Sequence, residues 1–436
     1  MYCVLVLHKV ASRVNVLSRL NNAPTQDSPD PPAGGRGWTV FGPRAPLLPL
    51  LFIVVGTFLR LAYPLEFEWK LDEQRMFYGA QNIAQGKESF PWVGLPSSAG
   101  IPHPGLSVWP FALMAYVART PEGLTHGVMC LNALALLGFA LWVRCAWPAP
   151  SRNLGYWAIA LLAVSPFAVL YSRKLWAPDV LPVFLLPWLW CHSLRKTPLF
   201  SFLWGLFGAL LGQVHMAGFF AALGLVVATL WVDRHSVRVF PWLFGSAWGS
   251  IPLLLWIHCL LQTSHPPASH SFALTEVVVL AITTTWGTGL EHSLGPEMAT
   301  FMRGPLIAGT DTGLVSVAHW MLGAIGVYAA AILYRDRRKM ECPDHLRTAL
   351  VGVSLGIIFL SLAFVPLYEH YLIVFCPLLQ VAWAWILSRR RQLLVVVTLL
   401  QLFLSASFLF YIHGHAGARS GDFGVTYEEQ VRQVRD

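Results

Sequence analysis

Long apolar runs alternate with short polar segments along most of the chain. A helix that crosses a bilayer needs about 20 mainly apolar residues, with a working range of roughly 17–25. By this criterion the pattern predicts an all-α polytopic membrane protein with about eleven transmembrane helices. The predicted spans, of which 180–194 is short and rich in proline, are 45–63, 124–146, 155–171, 180–194, 198–214, 216–232, 240–261, 313–333, 348–366, 371–387 and 392–412.

The composition supports a membrane protein. Of the 436 residues, 56% are hydrophobic and 12% are charged, whereas soluble domains carry about 25% charged residues. The net charge of +8 comes from short basic clusters between apolar runs and not from a basic patch with interleaved aromatic residues, so no nucleic-acid partner is predicted. The seven cysteines have no CxxC spacing, so neither a disulfide framework nor a structural zinc site is predicted.

The basic residues indicate which loops face the cytoplasm, because cytoplasmic loops are enriched in Lys and Arg. A further apolar stretch at 104–118 is short and is interrupted by Pro110. If this stretch does not cross, every strong basic cluster falls on the side of the N-terminus, and if it crosses, all of them move to the other side. The charge bias therefore predicts a re-entrant or surface helix at 104–118. The clusters are Arg144/Arg152, Arg195-Lys196, Arg234/Arg238, 335–339 and 389–391.

Three regions follow from this topology. Residues 1–43 are predicted to be a disordered cytoplasmic arm, and residues 44–412 are predicted to form a transmembrane domain. Residues 413–436 are expected to form a tail on the outer face. We expect a multi-pass protein of the plasma membrane (the inner membrane of a bacterium), with its active site on the outer, periplasmic face. The outer loops that would build this site are 64–123 and 262–312.

The first outer loop has an amphipathic pattern that predicts a helix lying along the membrane surface and closed by Gly86. Asp72 lies at its start, where an Asp caps free backbone N–H groups, and Glu73 is a favourable first-turn charge. The pattern by itself therefore gives both carboxylates a structural role. The apolar side holds Met76, Phe77, Ala80, Ile83 and Ala84, and the polar side holds Arg75, Gln81, Asn82 and Gln85.

A second polar cluster lies in the turn between two predicted spans. Arg173 and Lys174 end one helix and Asp179 begins the next, which suits the charges of helix termini. Ionisable groups at membrane depth are costly, so charges of both signs beside an outer loop also indicate a functional site. The residues alone leave both interpretations open.

Five short motifs follow one another along the chain: Asp72-Glu73, His103-Pro104-Gly105-Leu106, Ser165-Pro166 leading to Ser172-Arg173 and Asp179, His370-Tyr371-Leu372 before Pro377, and Gly421-Asp422-Phe423-Gly424. Together they resemble the integral-membrane C-type glycosyltransferases. The resemblance is greatest to glycosyltransferase family 39, which includes the protein O-mannosyltransferases and the lipid A aminoarabinose transferases. The sequence departs from that family at His370, where the family's motif has Arg, and loop 262–312 matches no motif.

The resemblance implies transfer of a sugar, with inversion, from a polyprenyl-phosphate donor to a hydroxyl of a lipid, protein or glycan at the outer membrane face. It implies that Asp72 is the general base for the acceptor hydroxyl and that Glu73 orients the surface helix or the acceptor. The leaving phosphate requires cations, for which Arg173, Lys174 and, as a weaker candidate, Arg60 are available. The residues expected to contact the sugar or the acceptor are Asp179, His103, Tyr368, His370 and Tyr371.

The implied chemistry uses a single base and no paired acid, because a phosphate leaves without being protonated, and no cofactor is required. The predicted outer loops contain no H-x-x-x-H or H-E-x-x-H pattern that would indicate a metal site. A divalent cation remains an open alternative.

Other functions fit parts of the same pattern. A transporter or flippase for a lipid-linked glycan would have inverted repeats and charges near mid-span. The sequence shows no internal repeat, and the central parts of the predicted spans hold almost no ionisable groups. A polymerase or ligase for surface glycans would share the topology and the donor, but the Asp-Glu pair favours the family 39 chemistry. A structural subunit without catalysis is the third alternative.

Overall fold

The computed structural model describes residues 46–97, 100–262, 274–336, 342–363 and 367–435, so the predicted arm at 1–43 lies outside the described residues. Within these ranges most of the chain is helical. The α-helices are α1 (Leu47–Leu61), α2 (Leu71–Ala84), α3 (Trp109–Ala115), α4 (Pro121–Ala146), α5 (Arg152–Val164), α6 (Pro166–Leu170), α7 (Leu181–Ser193), α8 (Pro198–Val214), α9 (Ala217–Asp233), α10 (Val239–Gly249), α11 (Ile251–Leu261), α12 (Leu274–Trp286), α13 (Glu291–Leu294), α14 (Met298–Arg303), α15 (Leu314–Asp336), α16 (Asp344–Ser361), α17 (Cys376–Leu387), α18 (Arg391–His415) and α19 (Tyr427–Arg435).

Two short antiparallel hairpins are also present in the described ranges. In the loop before α15, β1 (Leu306–Ile307) pairs with β2 (Thr310–Asp311). In the C-terminal segment, residues 416–435, β3 (Gly417–Ala418) pairs with β4 (Gly424–Val425).

By length and apolar composition, five helices can cross a membrane, and the pair α10 and α11, bent by 45°, would make a sixth span. Four other apolar helices, α1, α8, α12 and α17, are shorter. The prediction of an all-α polytopic membrane protein is thus confirmed, whereas the number of eleven spans is not. The five helices are Pro121–Ala146, Ala217–Ser236, Leu314–Asp336, Asp344–Ser361 and Arg391–His415.

Serine and proline divide some predicted spans into shorter helices. The run 155–171 breaks at Ser165, whose hydroxyl accepts the backbone N–H of Ala168 at 3.5 Å, and Pro166 begins α6. Proline cannot donate the N–H that continues a helix, but its fixed φ suits a first turn. Pro252 likewise lies in the first turn of α11, directly after the 45° bend. Hydropathy alone therefore overestimates the length of these helices.

The amphipathic helix in the first outer loop is confirmed as α2. Its buried apolar residues are Met76, Phe77, Ala80 and Ile83. The assignment of Gln81 to the polar side is wrong: this side chain is buried, and its amide donates to the carbonyl of Ala118 at 2.9 Å. The hydrogen bond satisfies a polar group that would otherwise be costly to bury, and it ties α2 to the segment that follows α3.

The stretch 104–118 does not cross a membrane. It consists of a 3₁₀ turn, Gly105–Ser107, followed by the seven-residue helix α3. Seven helical residues rise about 10 Å, far less than the roughly 30 Å hydrocarbon core. The prediction of a short, non-spanning helix is confirmed, and α3 packs against α2.

The predicted outer loop 262–312 has more structure than expected. Besides the β1–β2 hairpin, it contains the apolar helix α12, which packs against the 3₁₀ turn Glu369–Leu372 and against α16 and α17. The predicted tail 413–436 begins inside α18 and then forms β3, β4 and α19. This C-terminal segment returns to the first outer loop, because the backbone N–H of Tyr427 donates to the carbonyl of Phe67 at 3.0 Å.

The basic turns and the polar loops lie at opposite ends of the helices that join them. The helix α4 starts at Pro121 near the first outer loop and carries Arg144 in its last turn. With 26 residues it is about 39 Å long. The helix α7 leads from Asp179 to Arg195, and α18 leads from Arg391 to the C-terminal segment. The end away from these basic residues carries the candidate site.

Candidate active site

A cavity of about 420 Å³ opens at the end of the molecule opposite the basic turns. Its walls come from the predicted first outer loop, the turn after α6, the short helix α13, the turn before α17 and the C-terminal segment. The sequence predicted seven of its lining residues: Asp72, Glu73, His103, Lys174, Tyr368, His370 and Tyr371. Others were not among the candidates: Glu68, Lys70, Tyr171, Trp176, His292 and Asp422.

Lys174 is a buried cation in the cavity wall, with a side chain that is 3% exposed. It forms an ion pair with the equally buried Glu68, and its ammonium lies 4.8 Å from the centre of the Tyr171 ring. Burial opposes the charge of Lys174, but the carboxylate of Glu68 outweighs this effect and raises the pKa of Lys174. Lys174 is therefore a fixed positive charge at any physiological pH.

Lys70 brings a second ammonium to the same carboxylate. It forms an ion pair with Glu68 and another with Asp422, where its Nζ lies 3.1 Å from Asp422 Oδ2. Lys70 is half-exposed, whereas Lys174 is enclosed. The cavity thus contains two lysines joined through one buried carboxylate.

Glu73 is buried in the first turn of α2, and its Oε2 accepts the backbone N–H of Lys70 at 3.0 Å. Desolvation by burial, and then the charge of Glu68, raise the pKa of Glu73 to about 7. The capping role that the sequence suggested for Asp72 is thus performed by Glu73, because Lys70 precedes the helix and places Glu73 at its third position.

Asp72 is exposed and lines the cavity next to Glu73. In the part of the chain that the structure describes, its carboxylate makes no hydrogen bond or ion pair. The carboxylates of the cavity therefore have different environments. Glu68 is buried in ion pairs, Glu73 is buried and accepts a backbone hydrogen bond, and Asp72 is available to a molecule in the cavity.

Aromatic and imidazole rings form one wall of the cavity. The ring centre of His370 lies 4.2 Å from that of Trp176 and 4.7 Å from that of Tyr371. His215, which comes from the turn between α8 and α9, lies behind this wall, 5.2 Å from His103 and 5.5 Å from His370. His215 was not among the candidate residues.

The imidazoles of this wall are neutral at physiological pH. Desolvation lowers the pKa of His103 to about 4. Desolvation, followed by the repulsion of Lys174, lowers the pKa of His370 well below its usual value. A neutral imidazole has one hydrogen-bond donor and one acceptor, so the wall presents polar but uncharged groups.

Asp179 is fully buried outside the cavity and supports the turn that carries Lys174. Its Oδ2 accepts the backbone N–H of Lys174 at 3.0 Å, and Asn132 donates to its carbonyl at 2.8 Å. Burial raises the pKa of Asp179 well above its usual value, against the attraction of Lys174.

Arg60 and Arg173 also lie outside the cavity lining. The guanidinium of Arg173 donates to carbonyls around the end of α1, including that of Tyr63 at 2.8 Å. Arg60 donates to the carbonyls of Ala163 at 2.6 Å and Leu162 at 3.1 Å. Both side chains therefore join α1 to the segment that leads to Lys174.

The sequence contained a signal for some of the lining residues that were not proposed. Glu68 and Lys70 lie in the same charged stretch as Asp72, and Trp176 lies in the same turn as Lys174. His292 had no local motif, and its place in the cavity depends on the fold of the whole loop. Among the described residues, no group of three His, Cys, Asp or Glu side chains is arranged to hold a metal ion.

No protein-family model matches the chain, and no curated protein matches it in sequence. Similar solved structures include ArnT from Cupriavidus metallidurans bound to undecaprenyl phosphate, with a TM-score of 0.48 and 13% identity over 79% of this chain and 61% of that one. They also include the apo oligosaccharyltransferase of Archaeoglobus fulgidus, with a TM-score of 0.41 and 14% identity over 86% of this chain and 55% of that one.

The same archaeal oligosaccharyltransferase, AglB, has also been solved with an inhibitory peptide and a dolichol-phosphate, and it matches with a TM-score of 0.43 and 11% identity. That match covers 84% of this chain and 54% of the other. The chain spans less than two thirds of the length of each of these proteins. Since the TM-scores are below 0.5, the function has to be argued from the cavity itself.

Proposed function

We propose that this protein is an integral-membrane glycosyltransferase that moves a sugar from a polyprenyl-phosphate donor to an acceptor hydroxyl. The observation that carries the proposal is the content of one cavity: a buried lysine, a second lysine joined to it through Glu68, and an available carboxylate, Asp72. The first two suit an anionic leaving group, and the third suits a hydroxyl that must lose its proton.

The phosphate of the donor binds, in this proposal, at Lys174 and Lys70. Negative charge grows on the phosphate as its bond to the sugar breaks, so cations held in place before the reaction lower the barrier. Lys174 is held by Glu68 and by the turn that Asp179 supports. We assign Arg60 and Arg173 a positioning role, because their donors are occupied by backbone carbonyls.

Asp72 acts as the general base. It takes the proton of the acceptor hydroxyl while the hydroxyl oxygen attacks the anomeric carbon from the face opposite the phosphate. The bond from that carbon to the phosphate oxygen breaks, its electron pair leaves with the lipid phosphate, and the anomeric configuration is inverted. Glu73 holds the first turn of α2, and so the position of Asp72, through its hydrogen bond to Lys70.

The sugar lies against the wall formed by His103, Tyr368, His370 and Tyr371. Their neutral rings and hydroxyls suit an uncharged polyhydroxyl ring better than a second anionic group. His370 therefore contributes to sugar contact and not to phosphate binding. The acceptor in this proposal is a hydroxyl of a lipid, a protein or a glycan.

We place the cavity on the outer, periplasmic face of the plasma membrane, with the N-terminus in the cytoplasm. Arg144, Arg195 and Arg391 support this orientation, because they lie at the helix ends away from the cavity and basic loops favour the cytoplasm.

The proposal is tested by a transfer assay with the purified protein in lipid nanodiscs, using a panel of radiolabelled polyprenyl-phosphate hexoses and pentoses with membrane-extract acceptors. Asp72→Asn is expected to lower turnover by about 100- to 10,000-fold, the contribution of a general base, while donor binding is retained. Asp311→Asn, the same change at an exposed position of β2, serves as the control. Transfer by Asp72→Asn at the wild-type rate would refute the assigned base, and no transfer from any polyprenyl-phosphate sugar would refute the function.

A further inference from the structure

The C-terminal segment, residues 416–435, folds back and forms part of the cavity. The backbone N–H of Tyr427 donates to the carbonyl of Phe67 at 3.0 Å, and that of Glu428 donates to Leu65 at 3.3 Å. The ring of Tyr427 stacks on Phe67 with 4.8 Å between centres, and the amide of Gln430 donates to the carbonyl of Trp69 at 2.9 Å. These contacts fix the segment along the residues that lead into Lys70.

A second set of contacts fixes the segment on the other side of the cavity. The backbone N–H of Asp422 donates to the carbonyl of His292 at 3.3 Å, and that of Phe423 donates to Ser293 at 2.9 Å. A Cβ at Gly421 would collide with the Ser293 carbonyl, so the close approach requires glycine there. The segment therefore crosses the cavity between two anchored sides, with Asp422 at the crossing.

Asp422 contacts the cavity through Lys70. Its Oδ2 lies 3.1 Å from Lys70 Nζ and 3.6 Å from His292 Nε2, and its backbone carbonyl also accepts a hydrogen bond from Lys70. Lys70 thus contacts two carboxylates, Glu68 and Asp422. The two lysines and these two carboxylates carry equal and opposite charge, so this group of four is neutral before any phosphate enters.

We propose that Asp422 is a positioning residue that competes with the lipid phosphate for Lys70. This inference rests on the proposed function, because it assumes that the phosphate binds at the two lysines. When a phosphate enters, Lys70 exchanges the Asp422 carboxylate for a phosphate oxygen, while Lys174 remains paired with the buried Glu68. When the sugar is transferred, the lipid phosphate gains a negative charge. The Asp422 carboxylate then returns to Lys70, displaces the phosphate from this lysine and so favours release of the lipid phosphate.

The different burial of the two ion pairs, Lys70–Asp422 and Lys174–Glu68, indicates why the exchange takes place at Lys70. The side chains of Lys70 and Asp422 are 36% and 42% exposed, whereas those of Lys174 and Glu68 are 3% and 2% exposed. An exposed ion pair contributes about 0.2–1 kcal/mol, and breaking a buried pair costs several times more. The pair between Lys70 and Asp422 is therefore the one that a phosphate can replace.

The test measures binding of undecaprenyl phosphate to the full-length protein in phosphatidylcholine nanodiscs, with undecaprenol as the uncharged control ligand. Asp422→Asn removes the competing charge, so we expect binding that is about two- to fivefold tighter, which corresponds to about 0.4–1 kcal/mol. Asp422→Ala carries the same prediction if the Asn variant does not fold. Asp422→Glu keeps the charge and is expected to bind like wild type.

Glu428→Gln is the matched control, because it removes a carboxylate from an exposed position in the same segment. Its affinity for undecaprenyl phosphate should equal that of wild type. In a Lys70→Gln background, Asp422→Asn should leave the affinity of that background unchanged, since the competition acts through Lys70. A purely structural role of Asp422 predicts the opposite sign, because a displaced segment would weaken binding.

The outcomes separate the two proposals. Weaker or unchanged binding by Asp422→Asn and Asp422→Ala, with normal binding by wild type, would overturn the competition but leave the proposed function in place. If wild type bound undecaprenol as well as undecaprenyl phosphate, the phosphate site and the function built on it would fail, and the competition with them.

Discussion

Glu68 is in contact with both lysines of the cavity, so the charge of a single residue holds the candidate phosphate site together. Removing one partner of a buried ion pair leaves an uncompensated charge and is strongly destabilising, and here the lysine partners also serve the proposed reaction. Glu73 and Asp72 have different environments and different roles. They are neighbours in sequence, but one is buried and caps α2, and the other is exposed to the cavity.

Glu73 gives a prediction about the pH dependence of stability. Burial raises the pKa of its carboxyl to about 7 from the usual 4.5, so the folded state retains a proton that the unfolded chain has released. This contribution to the free energy of unfolding is fully present below about pH 4.5 and is lost as the pH rises to about 7. A pKa difference of one between the folded and unfolded states corresponds to about 1.4 kcal/mol, so the loss is at most about 3 kcal/mol.

The Glu73→Gln variant should therefore show a shallower decrease in stability over this pH range, because a Gln does not titrate while its amide oxygen can still accept the N–H of Lys70. Thermal unfolding of the detergent-solubilised protein between pH 5 and pH 8 measures the slope. Glu88→Gln, at an exposed position of the same loop, should keep the slope of wild type. Equal slopes for Glu73→Gln and wild type would contradict the assigned burial.

At the scale of helices and loops, hydropathy found most of the apolar segments but not their ends. Apolar runs mark the interior of a helix, while the ends depend on local hydrogen bonds such as that of Ser165 and on prolines such as Pro166. The helix α12 was missed for two reasons. The predicted loop 262–312 that contains it matches no motif, and the 13 residues of α12 are too few for a span. Its packing partners include the turn Glu369–Leu372, which lies far along the chain from it.

The candidate site was predictable where its residues are neighbours in sequence. The turn that contains Lys174 was identified from its charges near an outer loop, whereas the stretch that contains Asp72 was identified through the family resemblance. The roles within each stretch were harder to predict, because Arg173 and Lys174 are adjacent and have the same charge. The backbone directs Arg173 to carbonyls at the end of α1 and Lys174 to the cavity, a distinction that depends on tertiary structure.

At the scale of the whole molecule, residues from distant parts of the chain line one cavity. Lys70 directly precedes α2, near the start of the described chain, and Asp422 lies in the C-terminal segment. The two residues form an ion pair in the cavity wall. The outer-face tail expected from the sequence is thus part of the site. The basic turns lie at the other end of the helices, which agrees with an enzyme whose chemistry takes place on one face of the membrane.

The proposed orientation predicts which positions a reagent can reach from outside. In a variant without the seven native cysteines, a cysteine at Ser89 should react with a membrane-impermeant maleimide on intact cells, and a cysteine at Lys196 should react only after lysis. Both positions are exposed, so burial does not account for a difference. Labelling of Lys196→Cys but not Ser89→Cys would reverse the orientation.

The proposed function depends most on where a lipid phosphate binds. A cryo-electron microscopy structure of the full-length protein in nanodiscs with saturating undecaprenyl phosphate locates it directly. We predict phosphate density in the cavity within hydrogen-bond reach of Lys174 or Lys70 and on the same side as Asp72. A phosphate bound at the end of the helices that carries Arg144 and Arg195, with the cavity left empty, would contradict the account.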